Sequence, residues 1–261
     1  MASKQFTPSE VAVGAITTQL KPLTHRTAVV TGASRGIGMA IAISLAQLGA
    51  NLCLVGREPR TLQLVNHVVE DTGVSVTCYG ADLTVDSQIS QLIDALHAHH
   101  SQIDMLIHSS GFISMGPIEQ TPVDELDHQY RINVRAPYRL TQALLPALRR
   151  SRGQIVFINS SVVSNTRANV AAFAMTQHAL KALADVLREE VNADGIRVLS
   201  VFPGRTATAR QEAICQLEGK VYSPERLLQP EDIAEVVVNA LALPRTAEVT
   251  QINLRPFVKS Y

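Results

Sequence analysis

Residues 27–38 read TAVVTGASRGIG, and this stretch decides the fold. Its first five residues form an apolar, β-branched run that is typical of a buried strand. Gly32, Gly36 and Gly38 then make a glycine-rich turn, and an apolar segment of helical character continues to Leu48. A strand, a glycine-rich turn and a helix in this order predict the first strand–helix–strand unit of an α/β fold.

The same alternation continues along the chain. Short apolar runs predict strands at Thr27–Thr31, Asn51–Val55, Ser75–Tyr79, Met105–Ile107, Gln154–Ile158, Arg197–Val201 and Val249–Asn253. Helical patterns lie between them at about 36–48, 60–71, 86–98, 123–149, 170–192 and 231–242. Apolar strands alternating with helices predict a doubly wound parallel sheet, covered by helices on both faces. We assign residues 1–24 to an N-terminal arm and residues 25–261 to one domain.

Composition excludes several classes of function. The chain has 261 residues, 46% hydrophobic and 18% charged, with 23 Lys plus Arg against 23 Asp plus Glu. Zero net charge gives no global field for nucleic acid or a membrane surface, so we expect neither partner. Three dispersed cysteines, without metal-ligand spacing, favour a reducing compartment and no metal site. The start lacks a secretory apolar core, and we expect a cytoplasmic protein.

One uncharged stretch, residues 37–56, has the length of a membrane span. Polar residues interrupt it, and Gly49-Ala50-Asn51 is typical of a helix end followed by a new strand. We therefore expect no span there.

The glycine-rich turn is suited to a phosphate ligand. Gly32, Gly36 and Gly38 allow close approach to the backbone, and the following helix offers free N–H groups and a partial positive charge. An NAD site usually has an acid at the end of the second strand, whereas this chain has Gly56-Arg57. Arg57 and Arg35 could together bind a 2′-phosphate, which favours NADP(H) over NAD.

Five segments in the order of the chain together resemble the short-chain dehydrogenase/reductase family. They are Thr31–Gly38 (TGASRGIG), Ala81-Asp82-Leu83, Ile132-Asn133-Val134, Phe157–Val162 (FINSSV), and Phe202-Pro203-Gly204 followed by Thr206 and Thr208. The resemblance implies a Rossmann-type, seven-stranded sheet, a nicotinamide cofactor and a homodimer or homotetramer built on two long helices. The cofactor-binding residues it implies here are Gly32, Ser34, Arg35, Gly36, Ile37, Gly38, Arg57, Asp82, Leu83, Ser109, Gly111, Pro203, Gly204 and Thr206.

The sequence departs from the family at the catalytic helix. The family's signature there is Tyr-x-x-x-Lys, and the best alignment places Phe173 at the tyrosine and Gln177 at the lysine. Asn133 matches the family's helix asparagine. Either Ser160 or Ser161 matches the catalytic serine, and we favour Ser161. We therefore take Ser161, Asn133, Phe173 and Gln177 as the catalytic-site positions.

The departure bears on proton supply. Hydride transfer to a carbonyl builds an alkoxide that needs a proton, which the family's tyrosine gives. Phenylalanine has no proton to give, whereas glutamine can still bind a ribose hydroxyl. Lys181, His108 and Tyr130 are weaker candidates for a substitute donor. Lys181 is more simply interpreted as a surface charge, His108 as part of the pocket lining and Tyr130 as a core residue.

Three hypotheses follow. The first is an NADP(H)-dependent oxidoreductase that reduces a small carbonyl or enone substrate with a non-standard proton donor. The second is a non-redox cyclase, isomerase or lyase on the same fold. The third is a catalytically inactive NADP-binding protein that supports a partner subunit.

Overall fold

A computed structural model describes residues 21–258. In this part of the chain, one parallel sheet of seven strands has the order β3-β2-β1-β4-β5-β6-β7. The strands are β1 (Thr27–Thr31), β2 (Asn51–Gly56), β3 (Val76–Gly80), β4 (Met105–His108), β5 (Gln154–Ile158), β6 (Arg197–Pro203) and β7 (Gln251–Leu254). The helices are α1 (Gly36–Gln47), α2 (Pro59–Val69), α3 (Asp86–His99), α4 (Val123–Tyr130), α5 (Ala136–Ser151), α6 (Ala171–Val191), α7 (Ala209–Leu217) and α8 (Pro230–Leu241).

Each face of the sheet is covered by its own helices, because successive side chains of a strand point to opposite faces. In β1, Ala28 and Val30 pack with α1, α2 and α8, whereas Val29 packs with α3, α5 and α6. The strands are therefore apolar on both sides, as predicted for a parallel sheet between two helical layers. The Rossmann-type fold class predicted from the sequence is confirmed.

The sheet changes direction beside β1. The chain runs from β1 outward to β2 and β3, then returns so that β4 pairs with the other edge of β1. The loops that leave β1 and β4 therefore diverge and leave a crevice at the carboxyl ends of the strands. Ligands of doubly wound folds bind in such a crevice.

The predicted elements agree with the structure to within a few residues, with two exceptions. The helix predicted for residues 123–149 is broken by a π-helical turn at Arg131–Arg135. Helix α7 was not predicted, because its sequence, ARQEAICQL, carries little apolar periodicity. Residues 37–56 contain all of α1 except its first residue, a left-handed Gly49 and the whole of β2, so they form a helix and a strand as expected.

Most of the arm predicted for residues 1–24 lies outside the described residues. Within the described part, Leu23 is buried and its N–H donates to the carbonyl of Leu48, which joins this segment to the end of α1. No helix between residues 21 and 258 combines the length and apolarity needed to cross a membrane.

Candidate active site and cofactor cleft

The loop after β1 is packed so tightly that only glycine fits at two positions. A Cβ at Gly38 would lie 2.3 Å from the carbonyl oxygen of Gly32, and a Cβ at Gly32 would lie 2.9 Å from the carbonyl oxygen of Ser109. Gly32 also has a left-handed backbone, with φ of 68°. The loop therefore lies directly against the segment that follows β4, with Ser34 and Arg35 between the glycines.

The first turn of α1 is prepared for an anion. Its N-cap residue, Arg35, makes no side-chain cap, and the turn contains no acidic residue. The N–H groups of Gly36, Ile37 and Gly38 have no intrahelical partners, as at every helix start. Free N–H groups and the positive end of the helix dipole suit a phosphate group. These residues fit the pyrophosphate of a dinucleotide cofactor.

The ends of β2 and β3 form a second part of the cleft. Arg57 is exposed, and its charge acts on Asp82, in the segment after β3. Burial alone would raise the pKa of Asp82, but hydrogen bonds from Thr84 and the charges of Arg57 and His128 outweigh it, so the pKa lies below its usual value. The neighbouring Leu83 is buried. An anionic and an apolar residue here could contact the adenosine part of a cofactor.

The loops after β1 and β4 are joined by one hydroxyl. Thr31 Oγ1 accepts hydrogen bonds from the backbone N–H groups of Ser109 (3.1 Å) and Ser110 (3.2 Å). Gly111 comes next, and a Cβ there would lie 3.2 Å from Asn133 Oδ1. Thr31 therefore connects the glycine-rich loop to the segment that reaches Asn133.

Asn133 is held on three sides. Its Oδ1 accepts from the N–H of Phe112 (2.8 Å), and its Nδ2 donates to the carbonyl of Phe112 (2.9 Å) and to Thr176 Oγ1 (3.0 Å). The residue is 1% exposed and lies in the π-helical turn. Such turns are often found at functional sites. Asn133 thus fixes the β4 loop against α6, the helix that carries Phe173 and Gln177.

The two serines after β5 have different surroundings. Ser160 Oγ accepts from the N–H of Val162 (3.2 Å) and caps a short 3₁₀ turn at Ser161–Val163. The Ser161 side chain makes no hydrogen bond within residues 21–258 and is partly exposed. Its hydroxyl is therefore available to a ligand, whereas that of Ser160 is engaged in the cap.

Phe173 is part of an apolar cluster at the start of α6. Like Ile113 and Met115 of the β4 loop, it packs against a buried core made by Val162, Val170 and Ala174. The cluster brings the segment of Ser161 and the first turn of α6 together. Phe173 therefore adds hydrocarbon surface to a cluster that includes Val162, the residue after Ser161.

Gln177 lies one turn after Phe173. Asn159 Nδ2 donates to the Gln177 carbonyl (3.0 Å), which places this turn of α6 at the end of β5. The Gln177 side chain is almost fully buried, and in the described part of the chain its amide makes no hydrogen bond. The amide is not among the fully enclosed polar atoms of this part of the chain, so a polar ligand such as a ribose hydroxyl can reach it.

The three alternative proton donors have other roles or positions. His108 is 2% exposed, stacks on Phe157 and contacts Thr141 Oγ1 through Nε2 (2.9 Å). Burial lowers its pKa to about 3, so it is neutral near pH 7. Lys181 pairs with Asp185 (2.5 Å). Tyr130 is 47% exposed, so the prediction that it packs in the core was wrong.

The segment after β6 folds over the cleft. The N–H of Gly204, which follows Pro203, donates to the Leu254 carbonyl (2.8 Å), and Thr206 is buried with its hydroxyl donating to the Gly204 carbonyl (3.1 Å). Thr208 caps α7 and lies against the phosphate loop, since a Cβ at Gly36 would be 3.1 Å from its methyl group. Thr208 is therefore better placed than Thr206 to contact a cofactor.

The far end of α7 is fastened by ion pairs. Glu218 contacts Arg205 (2.6 Å) of this segment and Arg167 (2.7 Å) of the loop before α6. Hydrogen bonds and charge from these arginines outweigh burial and keep the pKa of Glu218 below its usual value. The cover of the cleft is thereby joined to the loop that leads to Phe173.

A doubly wound sheet with a glycine-rich phosphate loop at its switch point defines a dinucleotide-binding protein. The short chain dehydrogenase family model matches residues 26–218, and the chain belongs to that family. An uncharacterized oxidoreductase of Staphylococcus epidermidis RP62A is 33% identical over 234 residues, which cover 89% of this chain and 97% of that protein.

Solved structures agree with this assignment. A short-chain dehydrogenase of Shigella flexneri 2a complexed with NADP is 30% identical, with a TM-score of 0.82 over 90% of this chain and 99% of that one. A metagenomic short-chain oxidoreductase in complex with NADP is 30% identical, with a TM-score of 0.78 over 91% and 100% of the two chains. The chain is thus an oxidoreductase of the short-chain type.

Proposed function

We propose that the protein is an NADP(H)-dependent reductase of a carbonyl or enone, working without the family's tyrosine as proton donor. The observation that carries the proposal is the continuous path from the phosphate loop to the reaction site. Gly32 packs on Ser109, and Gly111 packs on Asn133. The phosphate loop is complete, and the Ser161 hydroxyl has no partner among the described residues. This combination favours a protein that reduces a substrate over one that only binds the nucleotide.

The preference for NADP(H) rests on charge. Gly56 and Arg57 stand where an NAD-specific site usually places an acid. Arg35, in the phosphate loop, supplies a second guanidinium. Guanidinium groups match the geometry of a phosphate, so both arginines would contact the adenosine 2′-phosphate. The NADP complexes of two similar proteins support this preference.

Each site residue then has a role. The bound nicotinamide supplies hydride chemistry. Ser161 donates a hydrogen bond to the substrate oxygen and orients the substrate. Asn133 holds the β4 loop against α6. Gln177 binds a ribose hydroxyl with its unpartnered amide. Phe173 forms an apolar wall that excludes water from the face of the substrate.

The missing phenol restricts how the proton arrives. A ketone takes a hydride at carbon and a proton at oxygen, and with Phe173 that proton would come from solvent through Ser161. An enone takes its hydride at the β-carbon and its proton at the α-carbon. The enone reaction does not need a phenol at the carbonyl oxygen, so the site suits it at least as well.

The residues at positions 173 and 177 also suit two other functions. With neither phenol at 173 nor ammonium at 177, the fold could serve a non-redox reaction or hold NADP for a partner subunit. These alternatives predict that bound NADPH keeps its redox state in the presence of substrate. Redox turnover by the pure protein would exclude both.

The experiment follows nicotinamide absorbance by stopped flow while the protein with NADPH is mixed with ketones, aldehydes and enones. We expect oxidation with at least one class, and a fall of about 100-fold in Ser161→Ala as orientation and hydrogen bonding are lost. Ser164→Ala, at an exposed serine nearby, is the matched control. An absence of oxidation with every class would contradict the proposal.

A further inference from the structure

Arg210 lies at the mouth of the reaction site. It is in the first turn of α7, and its Nη2 donates to the carbonyl of Gly111, 2.5 Å away and 99 residues distant in sequence. Gly111 in turn packs on Asn133. The guanidinium therefore spans from the cover of the cleft to the segment that borders Asn133.

Arg210 differs from the other arginines of the cover in its charge environment. Arg205 and Arg167 are both neutralised by Glu218. Arg210 forms no ion pair among residues 21–258, and its bond to Gly111 uses a neutral carbonyl. Its partial burial and, secondly, the positive charge of Arg35 lower the pKa of its guanidinium. Arg210 as a residue is nonetheless exposed to solvent.

Two cations that face one cleft without an acid favour an anionic ligand. The phosphate loop already offers the helix N–H groups to the pyrophosphate, and we assign Arg35 to the 2′-phosphate. Arg210 binds Gly111 on the side of that residue's contact with Asn133, and we take this side as the one that faces the substrate. Gln177 stands where the family has a lysine and brings no charge, whereas Arg210 offers a guanidinium beside Gly111.

We propose that Arg210 is a substrate-binding residue and that the substrate carries a carboxylate near its reacting carbonyl or enone. The guanidinium would exchange its bond to the Gly111 carbonyl for a charge-assisted pair with the carboxylate. This exchange would draw α7 onto the substrate and close the cleft. The proposal rests on the proposed reductase function for its chemistry, but the binding it describes can be measured without turnover.

The test is calorimetric binding to the full-length protein saturated with NADP⁺, which holds the oxidised cofactor and permits no reduction. The probes are pyruvate, phenylpyruvate and levulinate, each compared with its methyl ester. We expect at least one acid to bind at least 10-fold more tightly than its ester. Arg210→Gln should lower the affinity for that acid by about 10- to 100-fold, because a charge-assisted hydrogen bond is lost. The affinity for the ester should not change.

Arg226→Gln is the matched control, because it removes one exposed positive charge from the same segment. It should change acid binding by less than 2-fold. NADP⁺ affinity is measured for all three proteins. If Arg210→Gln lowers the affinity for NADP⁺ and not the affinity for the acid, Arg210 is a cofactor ligand and the proposal is wrong. Equal affinity of acids and esters for the unaltered protein would also overturn it.

The two proposals fail separately. Selective acid binding without any NADPH oxidation would keep the anion site and remove the reductase function. NADPH oxidation with neutral substrates, together with equal binding of acids and esters, would keep the reductase and remove the role of Arg210.

Discussion

At the scale of single residues, the proposed mechanism depends on two positions of one helix, where Phe173 stands for the family's tyrosine and Gln177 for its lysine. Phe173 and Gln177 lie one turn apart on α6, where Phe173 packs in the cluster with Val162 and the main-chain carbonyl of Gln177 accepts from Asn159. Phe173 keeps the shape of a tyrosine without its proton, and Gln177 keeps hydrogen bonding without a charge. Restoring the family's tyrosine and lysine at these two positions therefore tests the proposed mechanism directly.

We predict that Phe173→Tyr combined with Gln177→Lys raises the rate of ketone reduction by about 100-fold, within the range of general acid catalysis. The restored ammonium lowers the pKa of the restored phenol, which can then protonate the alkoxide. The measurement is kcat with a ketone and NADPH. Met175→Tyr with Gln177→Lys is the control, since Met175 is exposed and its phenol would lie off the site. An unchanged rate in the repaired protein would mean that the site has been remodelled beyond these two positions.

His108 gives a prediction about pH. Its pKa of about 3 in the folded chain lies below its ordinary value of 6.5, so below pH 6.5 the unfolded chain binds a proton that the folded chain refuses. The stability it provides is complete above pH 6.5 and is lost as pH falls toward 3, by up to about 1.4 kcal/mol per pH unit.

We therefore expect His108→Asn to flatten the fall in free energy of unfolding between pH 6.5 and 5, as measured by urea denaturation. His67→Gln, at an exposed histidine of α2, should leave that slope unchanged. A slope in His108→Asn equal to that of the unaltered protein would contradict this account of the buried ring.

At the scale of elements, the phosphate loop is the part of the site that tolerates least change. We predict that Gly38→Ala abolishes measurable NADPH binding, since its Cβ would lie 2.3 Å from the Gly32 carbonyl and force the loop open. The measurement is nicotinamide fluorescence titration.

The control is Gly73→Ala, which has nothing within 4 Å but a φ of 75°. It should lose stability by about 1–2 kcal/mol from backbone strain and keep its NADPH affinity. Normal binding by Gly38→Ala would show that the loop is not the phosphate cradle.

The sequence predicted the elements well where a periodic pattern met a clear end signal. Thr27–Thr31 and Gln154–Ile158 were predicted to the residue, because buried parallel strands are continuous apolar runs. Helix α7 was missed, because a short helix over a cleft buries little and shows little periodicity. The π-helical turn was also missed, since it depends on the contacts that Asn133 makes with Phe112 and Thr176.

The position of the glycine-rich loop could be predicted from the sequence, whereas the contacts of the segment after β6 could not. The glycines of the phosphate loop have a local signature, so sequence alone places them. Thr208 and Arg210 act through contacts with Gly36 and Gly111, which lie far away in sequence. The signal that could have drawn attention to Arg210 is its position two residues after Thr208 in a segment predicted to cover the cleft.

At the scale of the whole molecule, α4, α5 and α6 leave apolar side chains exposed. Tyr138, Met175 and Val186 are each more than half exposed. The family resemblance predicts a homodimer or homotetramer through long helices, and these residues suit such a contact.

We predict an oligomer by light scattering after size exclusion, and its dissociation in Val186→Asp, which would bury a charge in the contact. Val68→Asp, at a similarly exposed valine of α2, should keep the oligomer. A monomeric unaltered protein, or a Val186→Asp protein of unchanged mass, would contradict this assembly.

The central claim, that the molecule transfers a hydride from NADPH, is tested most directly with NADPH deuterated at C4 of the nicotinamide. The protein is incubated with the carbonyl and enone substrates, and the products are analysed by mass spectrometry. The account predicts a product one mass unit heavier than with unlabelled NADPH, the deuterium sitting on the former carbonyl carbon or on the β-carbon. Products formed without deuterium from either face of the nicotinamide, or no product at all, would contradict it.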